Sequence, residues 1–276
     1  MPELPEVETV RRGLEQSVVG ATILRVRVLG RRTVRRQTPR AFERSVRGRR
    51  ITAVSRRGKF LFIALDEGVI VAHLRMSGQL LLVTDARVPL VPHTHAVFSL
   101  DDGRELRFVD PRTFGELFYA GRGGIELDSV LGGLGLDPLI DGVDAAELGS
   151  LFGRRRAALK SLLLDQRLIA GIGNIYADEI CFAARVRPDR PGGAVTKKEL
   201  ARLATAIVAV LKEAVSAKGS SLRDSRYRDL FGEPGAFQDR HAVYGREGEP
   251  CRRCGRAIER QVIGGRSAHF CPHCQR

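Results

Sequence analysis

Along residues 5–18 the apolar positions Val7, Val10, Leu14 and Val18 recur at helical spacing. Pro5 sits where a first-turn proline is tolerated, and Glu6 and Glu8 stand at the end of the helix dipole that favours carboxylates. From Thr22 to about Ala120 the period drops to two. Leu24, Val26 and Val28 alternate with Arg25 and Arg27, and apolar runs follow at 60–65, 69–74, 79–83 and 96–100. Arg57-Gly58, Ser77-Gly78 and Asp101-Asp102-Gly103 supply turns between them. The pattern predicts about eight short strands, hence a sandwich or barrel behind one N-terminal helix. Helical periodicity returns over 144–152, 154–165, 174–184 and 196–217. In the last, Thr196 and Glu199 form a capping box, Leu200, Leu203, Ile207, Leu211 and Val215 make one face, and Gly219 marks the stop. The chain reads as multidomain α+β: a β-sandwich domain over 1–120, a Gly-rich acidic linker over 121–143, a helical domain over 144–245 and a small cysteine-bearing tail over 246–276.

Charge adds a partner to this outline. Forty-six Lys and Arg against 32 acidic residues give the 276-residue chain a net charge of +14. Residues 31–59 hold eleven Arg and one Lys against Glu43 alone, the tail 251–276 holds six Arg against Glu259, and 125–150 is acidic instead. Such concentration predicts a nucleic-acid footprint, since each phosphate neutralised releases condensed counterions. No apolar run reaches the length that spans a bilayer. Met1 to Thr9 carry three Glu and no basic residue, the opposite of a signal peptide, so the expectation is a soluble, cytoplasmic protein. No feature demands a dimer, and a monomer is expected.

Four of the five cysteines fall in the last 26 residues, as Cys251-x2-Cys254 and Cys271-x2-Cys274. Two such pairs present four thiolates to one structural zinc ion and leave no position open for catalysis. A tail this short has little core, so the metal supplies most of its folding energy. Between the pairs Gly264-Gly265 signals a hairpin that projects Arg266. His269 and His273 are bystanders to a filled shell, and Cys181 is a core residue.

The N-terminus carries a different chemistry. Removal of Met1 exposes Pro2 as a secondary amine, which attacks carbonyl carbons to give an iminium ion. Glu3 and Glu6 stand beside it as general acid or base candidates. An ordinary acidic helix start accounts for the same residues.

Met1-Pro-Glu-Leu-Pro-Glu-Val-Glu-Thr9 resembles the start of the formamidopyrimidine-DNA glycosylases, bacterial enzymes that repair 8-oxoguanine. The resemblance continues through Arg56-Arg-Gly-Lys59, His73-Leu-Arg-Met-Ser-Gly78, Asp110-Pro-Arg-Thr-Phe-Gly115, Gly171-Ile-Gly-Asn-Ile-Tyr176 and Gly265-Arg-Ser-Ala-His-Phe-Cys271. It implies a bifunctional glycosylase and lyase that turns the damaged nucleotide out of the duplex. Pro2 would be the nucleophile at C1′, Glu3 would shuttle protons, and Glu6 would support the site. Lys59, one of only six lysines against forty arginines, fits a proton donor, because lysine can be tuned where arginine cannot; a phosphate contact is its alternative role, and the two can coexist. Arg266 matches the finger arginine that binds phosphate and assists δ-elimination. Met76, Arg112 and Phe114 match the triad that fills the hole left in the stack. Read without the resemblance, Met76 and Phe114 are core residues. His73, His93, Arg112, Arg155 and Asn174 match DNA-contacting positions. Residues 144–245 become a helix–two-turn–helix domain, with a lesion-capping loop over 219–238 that includes Ser220-Ser221-Leu222-Arg223-Asp224. The expected partner is duplex DNA with oxidised bases or abasic sites, and the expected cofactor is one structural zinc.

Two other readings stand beside this one. An endonuclease VIII-type enzyme for oxidised pyrimidines starts Pro-Glu-Gly-Pro-Glu, whereas this chain has Leu4. A non-catalytic zinc-dependent DNA-binding module leaves Pro2, Glu3 and Lys59 without a task.

Overall fold

Val7, Val10, Leu14 and Val18 are all fully buried on the first helix, α1 (Leu4–Val18), and each such burial contributes about 1.5–3 kcal/mol. A computed structural model of the chain describes residues 2–30, 32–121, 123–222 and 227–276. The expected removal of Met1, and Arg223, Asp224 and Ser225 of the segment expected to be a capping loop, fall outside the described residues. After α1 come β1 (Ile23–Val28), α2 (Pro39–Val46), β2 (Ile51–Arg57), β3 (Phe60–Leu65), β4 (Val69–His73), β5 (Gln79–Val83), β6 (Thr94–Leu100), β7 (Glu105–Val109) and β8 (Glu116–Ala120). The eight strands form two four-stranded antiparallel sheets, in the orders β1-β6-β7-β5 and β2-β3-β4-β8. Ile23, Phe98, Leu100 and Leu106 from one sheet and Ile51, Ile63, Ile70 and Leu117 from the other share a single core with α1. The sandwich expected from the period of two is present.

Helix α2 lies in the arginine-dense stretch, where the strand pattern hid it. Its start signals are local: Thr38 Oγ1 accepts from the Ala41 N–H at 3.2 Å, Pro39 opens the first turn, and Phe42 and Val46 bury one narrow face.

The chain forms two compact units, residues 1–132 with 217–236, and residues 133–216 with 237–276. The second contains α4 (Ala145–Phe152), α5 (Leu159–Leu164), α6 (Asn174–Ala184), α7 (Lys197–Ser216) and the hairpin β9 (Glu259–Ile263) and β10 (Arg266–Phe270). Thr196 and Glu199 cap α7 as expected. The helix expected over 154–165 is shorter, because Ala158 is extended and the chain turns helical only at Leu159.

Two expectations about boundaries change. The stretch 121–143 is more than a linker: it contains α3 (Ile125–Leu131), and Leu136 pairs in parallel with Ile169. Residues 217–236 join the sandwich unit rather than the helical one, because Tyr227 and Leu230 plug its core. Gly13 on α1 makes room, since a Cβ there would meet Leu230 Cβ at 3.0 Å. The Leu230 carbonyl also accepts the Leu82 N–H at 2.8 Å.

Candidate active site and nucleic-acid interface

In the first unit, Pro2, Glu3 and Glu6 are all buried where α1 begins. A capping box joins the two acids, with Glu6 Oε2 accepting the Glu3 N–H at 2.8 Å. The other oxygen, Oε1, accepts the Ser220 N–H at 2.7 Å, and Tyr227 donates its hydroxyl to the Glu6 carbonyl at 3.3 Å. Burial and the nearby Glu6 raise the Tyr227 phenol well above its usual range, so it stays a donor. Each Glu6 oxygen is thus engaged, which fixes the carboxylate in place.

Lys59 is the second residue of the tight Gly58-Lys59 turn between β2 and β3 and is 7% exposed. Glu8, on the next turn of α1, holds that turn through Arg56. The Glu8 carboxylate accepts from Arg11 Nε at 3.0 Å, Arg12 Nε at 2.8 Å and Arg56 Nε at 3.1 Å, and Arg56 Nη1 continues to the Gly58 carbonyl at 3.1 Å. Burial works to raise the Glu8 pKa, but the hydrogen bonds from Arg11, Arg12 and Arg56 win and keep it below the usual carboxylate range. The turn that presents Lys59 is therefore tied to the helix that presents Pro2.

His73 pairs in register with Phe60, next to Lys59, and the two rings meet edge-on at 4.4 Å. Burial, helped by Arg75 and Lys59, pushes its pKa down to about 3. Its Nδ1 accepts the Arg75 N–H at 2.9 Å, so the neutral ring carries its proton on Nε2 and acts as a donor there.

Met76 and Phe114 are 38% and 54% exposed, so the core reading of both is overturned. Each sits in a connection that carries the chain from one sheet to the other, Met76 between β4 and β5 and Phe114 between β7 and β8, outside the strands that face the core. Arg112 Nη1 lies 3.9 Å from Met76 Sδ, which brings that pair together, and Phe114 lies beside Met76 in one shallow cavity of about 370 Å³. Arg35 and Arg75 line the same cavity. His93 is exposed on the loop before β6.

In the second unit, Asn174 opens α6, and its Nδ2 lies 3.3 Å from Ser267 Oγ, beside Arg266. Gln166 shapes the preceding loop by accepting the Gly171 N–H and donating to the Ile172 carbonyl. Arg155 is exposed on the connection between α4 and α5, its Nε on the Leu151 carbonyl. The four tail cysteines place their sulfurs within 4.8 Å of one another. The Cys251–Cys274 and Cys254–Cys271 separations of 3.9 and 3.5 Å bracket the roughly 3.8 Å edge of a zinc–thiolate tetrahedron with bonds near 2.3 Å. The Arg253 and Cys274 N–H groups point at Cys251 and Cys271 sulfur, each at 3.4 Å. The donor set fits one structural zinc.

Residues 1–117 match the formamidopyrimidine-DNA glycosylase N-terminal domain, 134–226 the H2TH domain of the same enzyme, and 248–276 a zinc finger found in FPG and IleRS. The chain belongs to the formamidopyrimidine-DNA glycosylase family. It is 50% identical over 279 residues to the formamidopyrimidine-DNA glycosylase of Thermus thermophilus, covering 100% of this chain and 98% of that one. The crystal structure of MutM (Fpg) from Thermus thermophilus superposes with a TM-score of 0.87 at 47% identity, over 99% of this chain and 98% of that one. Lactococcus lactis Fpg in complex with DNA containing an abasic site gives 0.91 at 32% identity, over 99% of each chain.

Several residues that hold this family's fold in place here had no signal in the sequence. Lys160 and Asp178 form a completely buried ion pair at 2.6 Å, and Asp178 Oδ2 accepts the His269 N–H at 2.9 Å. Lys160 also donates to the Ser267 carbonyl, so this pair docks the zinc hairpin on α5 and α6. Glu179 accepts three consecutive N–H groups, from Ala242, Val243 and Tyr244. All three lie in amphipathic helical patterns, where a charge reads as a solvated face.

Proposed function

We propose that this chain is a base-excision-repair DNA glycosylase with abasic-site lyase activity, acting in the cytoplasm on duplex DNA that carries oxidised purines. The observation that carries the reading is the buried N-terminus of α1, where Pro2, Glu3 and Glu6 converge and Glu8 and Arg56 tether the Lys59 turn. The Pro2 amine attacks C1′ of the extruded nucleotide and the base leaves with its bonding pair. Glu3 moves the protons of sugar-ring opening, which yields an iminium ion between Pro2 and C1′. β-Elimination then breaks the C3′–O bond and δ-elimination the C5′–O bond, each expelling a phosphate.

Lys59 serves as a proton donor in this sequence, and Arg266 holds phosphate and assists the δ step. His73, His93, Arg155 and Asn174 contact the backbone, for which the neutral His73 ring offers its Nε2 proton. Met76, Arg112 and Phe114 occupy the space of the extruded nucleotide. Excision from a duplex with 8-oxoguanine opposite cytosine tests the assignment. Zinc-loaded Pro2→Gly should lose base release while keeping DNA affinity within a few-fold, and unchanged base release would refute it.

A further inference from the structure

Asp110 follows β7 and is completely buried, yet its carboxylate serves two loops that carry exposed side chains. Oδ1 accepts from the Ser77 hydroxyl and from the Arg112 N–H at 3.3 Å, and Oδ2 accepts the Gly115 N–H at 2.7 Å. The Arg112 N–H also reaches Ser77 Oγ at 3.1 Å. The main chain of Asp110 is equally engaged. Its N–H donates to the His93 carbonyl at 3.0 Å, and its carbonyl accepts the Thr113 N–H at 3.1 Å and lies 2.9 Å from His95 Nε2. Ser77 follows Met76, while Arg112 and Gly115 bracket Phe114. One side chain thus joins the two loops that carry the triad.

The same knot collects backbone strain. Left-handed φ angles occur at Arg75 (53°), just before Met76, at Thr113 (56°), just before Phe114, and at His93 (66°), whose carbonyl receives the Asp110 N–H. Residues with a Cβ hold such angles only where surrounding bonds impose them. Gly115 is needed for a neighbouring reason: a Cβ there would lie 2.6 Å from the Phe108 ring. A buried carboxylate is tolerated only when its acceptor positions are filled. Here the donors that fill them, Ser77, Arg112 and Gly115, belong to one wedge loop or the other, so satisfying Asp110 and fixing the wedge are the same event.

We infer that Asp110 is a positioning residue that locks the Met76 turn and the Arg112–Phe114 turn into one preformed wedge. The three side chains then enter the base stack together as a nucleotide is turned out. The inference rests on the void-filling reading of Met76, Arg112 and Phe114. The chemistry at Pro2 does not pass through Asp110, so an abasic site in single-stranded DNA, where no stack must be entered, does not require it.

The test compares Asp110→Asn, Ser77→Ala and Phe114→Ala, each checked for zinc content and a cooperative melt. One substrate is a duplex with 8-oxoguanine opposite cytosine and 2-aminopurine beside the lesion. The other is a single strand with one abasic site, read by borohydride trapping. Asp110→Asn should slow both the 2-aminopurine rise and single-turnover excision on the duplex at least tenfold, with single-strand trapping within twofold. Ser77→Ala should show a smaller loss with the same split, and the double variant should be no worse than Asp110→Asn. Equal losses on both substrates, or an unchanged fluorescence rise in folded Asp110→Asn, would overturn the inference. If Asp110→Asn does not fold, Ser77→Ala decides by the same split. If Phe114→Ala slows the duplex signal and Asp110→Asn does not, only the role of Asp110 fails. If Phe114→Ala changes nothing on the duplex, the void-filling reading fails beneath it.

Discussion

Ser220 donates its backbone N–H to Glu6 Oε1 at 2.7 Å although the two residues lie 214 apart in the chain. Gly219, at φ 77°, makes the approach possible, because a Cβ there would sit 2.5 Å from the same oxygen. The first turn of α1 and the start of the 217–236 segment are consequently one structure, and the acid beside Pro2 also anchors the segment that resembles a lesion cap.

Glu6→Gln keeps the shape but replaces one charged acceptor oxygen with an amide nitrogen, which cannot accept the second N–H. Loss of a buried hydrogen bond to a charged group costs about 1.5–3 kcal/mol. Amide hydrogen exchange should speed up at Ser220 and Leu230 well before it does in β3. Uniform exchange across both regions would separate Glu6 from the segment.

His73 carries a pH signature. The unfolded chain takes up a proton on this imidazole below about pH 6.5, whereas the folded ring resists protonation down to about 3. Stability from this group is therefore complete above pH 6.5 and declines as pH falls, by about 2 kcal/mol at pH 5. His73→Asn should flatten the stability curve between pH 6.5 and 5. An imidazole resonance that titrates near 6.5 in the folded protein would contradict the assignment.

Zinc removal should act locally. Cys251 and Cys271 pack with Phe182, Val243 and Ile258 in a small cluster that has little apolar area besides the metal site. Cys254→Ser should lose zinc, release the β9–β10 hairpin and abolish tight DNA binding while residues 1–132 keep their melting transition. A normal binding isotherm from zinc-free protein would refute this.

Arg266 is exposed at the first position of β10, just past the hairpin turn, and fits a phosphate contact. Arg266→Ala should reduce the slope of log affinity against log salt by about one, with little change in lesion preference. An unchanged slope would remove Arg266 from the phosphate contacts.

The elements with one clear period were legible before any coordinates. Helix α6 spans the expected residues, α1 starts one residue earlier, α7 is shorter by one residue at each end, and the four cysteines converge as their spacing implies. What escaped depends on contacts distant in sequence. Tyr227 and Leu230 stand in a segment with no period, so nothing local reveals that they fill the sandwich core. Met76 and Phe114 are apolar residues near strands and read as core until the turns that expose them are seen. Asp110, Glu8 and Asp178 are carboxylates whose partners come from other elements, and a single sequence without its fold shows only the charge.

The central claim is that Pro2 is the nucleophile, and borohydride trapping tests it most directly. Zinc-loaded protein lacking Met1, incubated with a duplex holding 8-oxoguanine opposite cytosine, should yield a covalent protein–DNA adduct that maps to Pro2. An adduct at a lysine such as Lys59, or none from fully zinc-loaded protein, would contradict the mechanism.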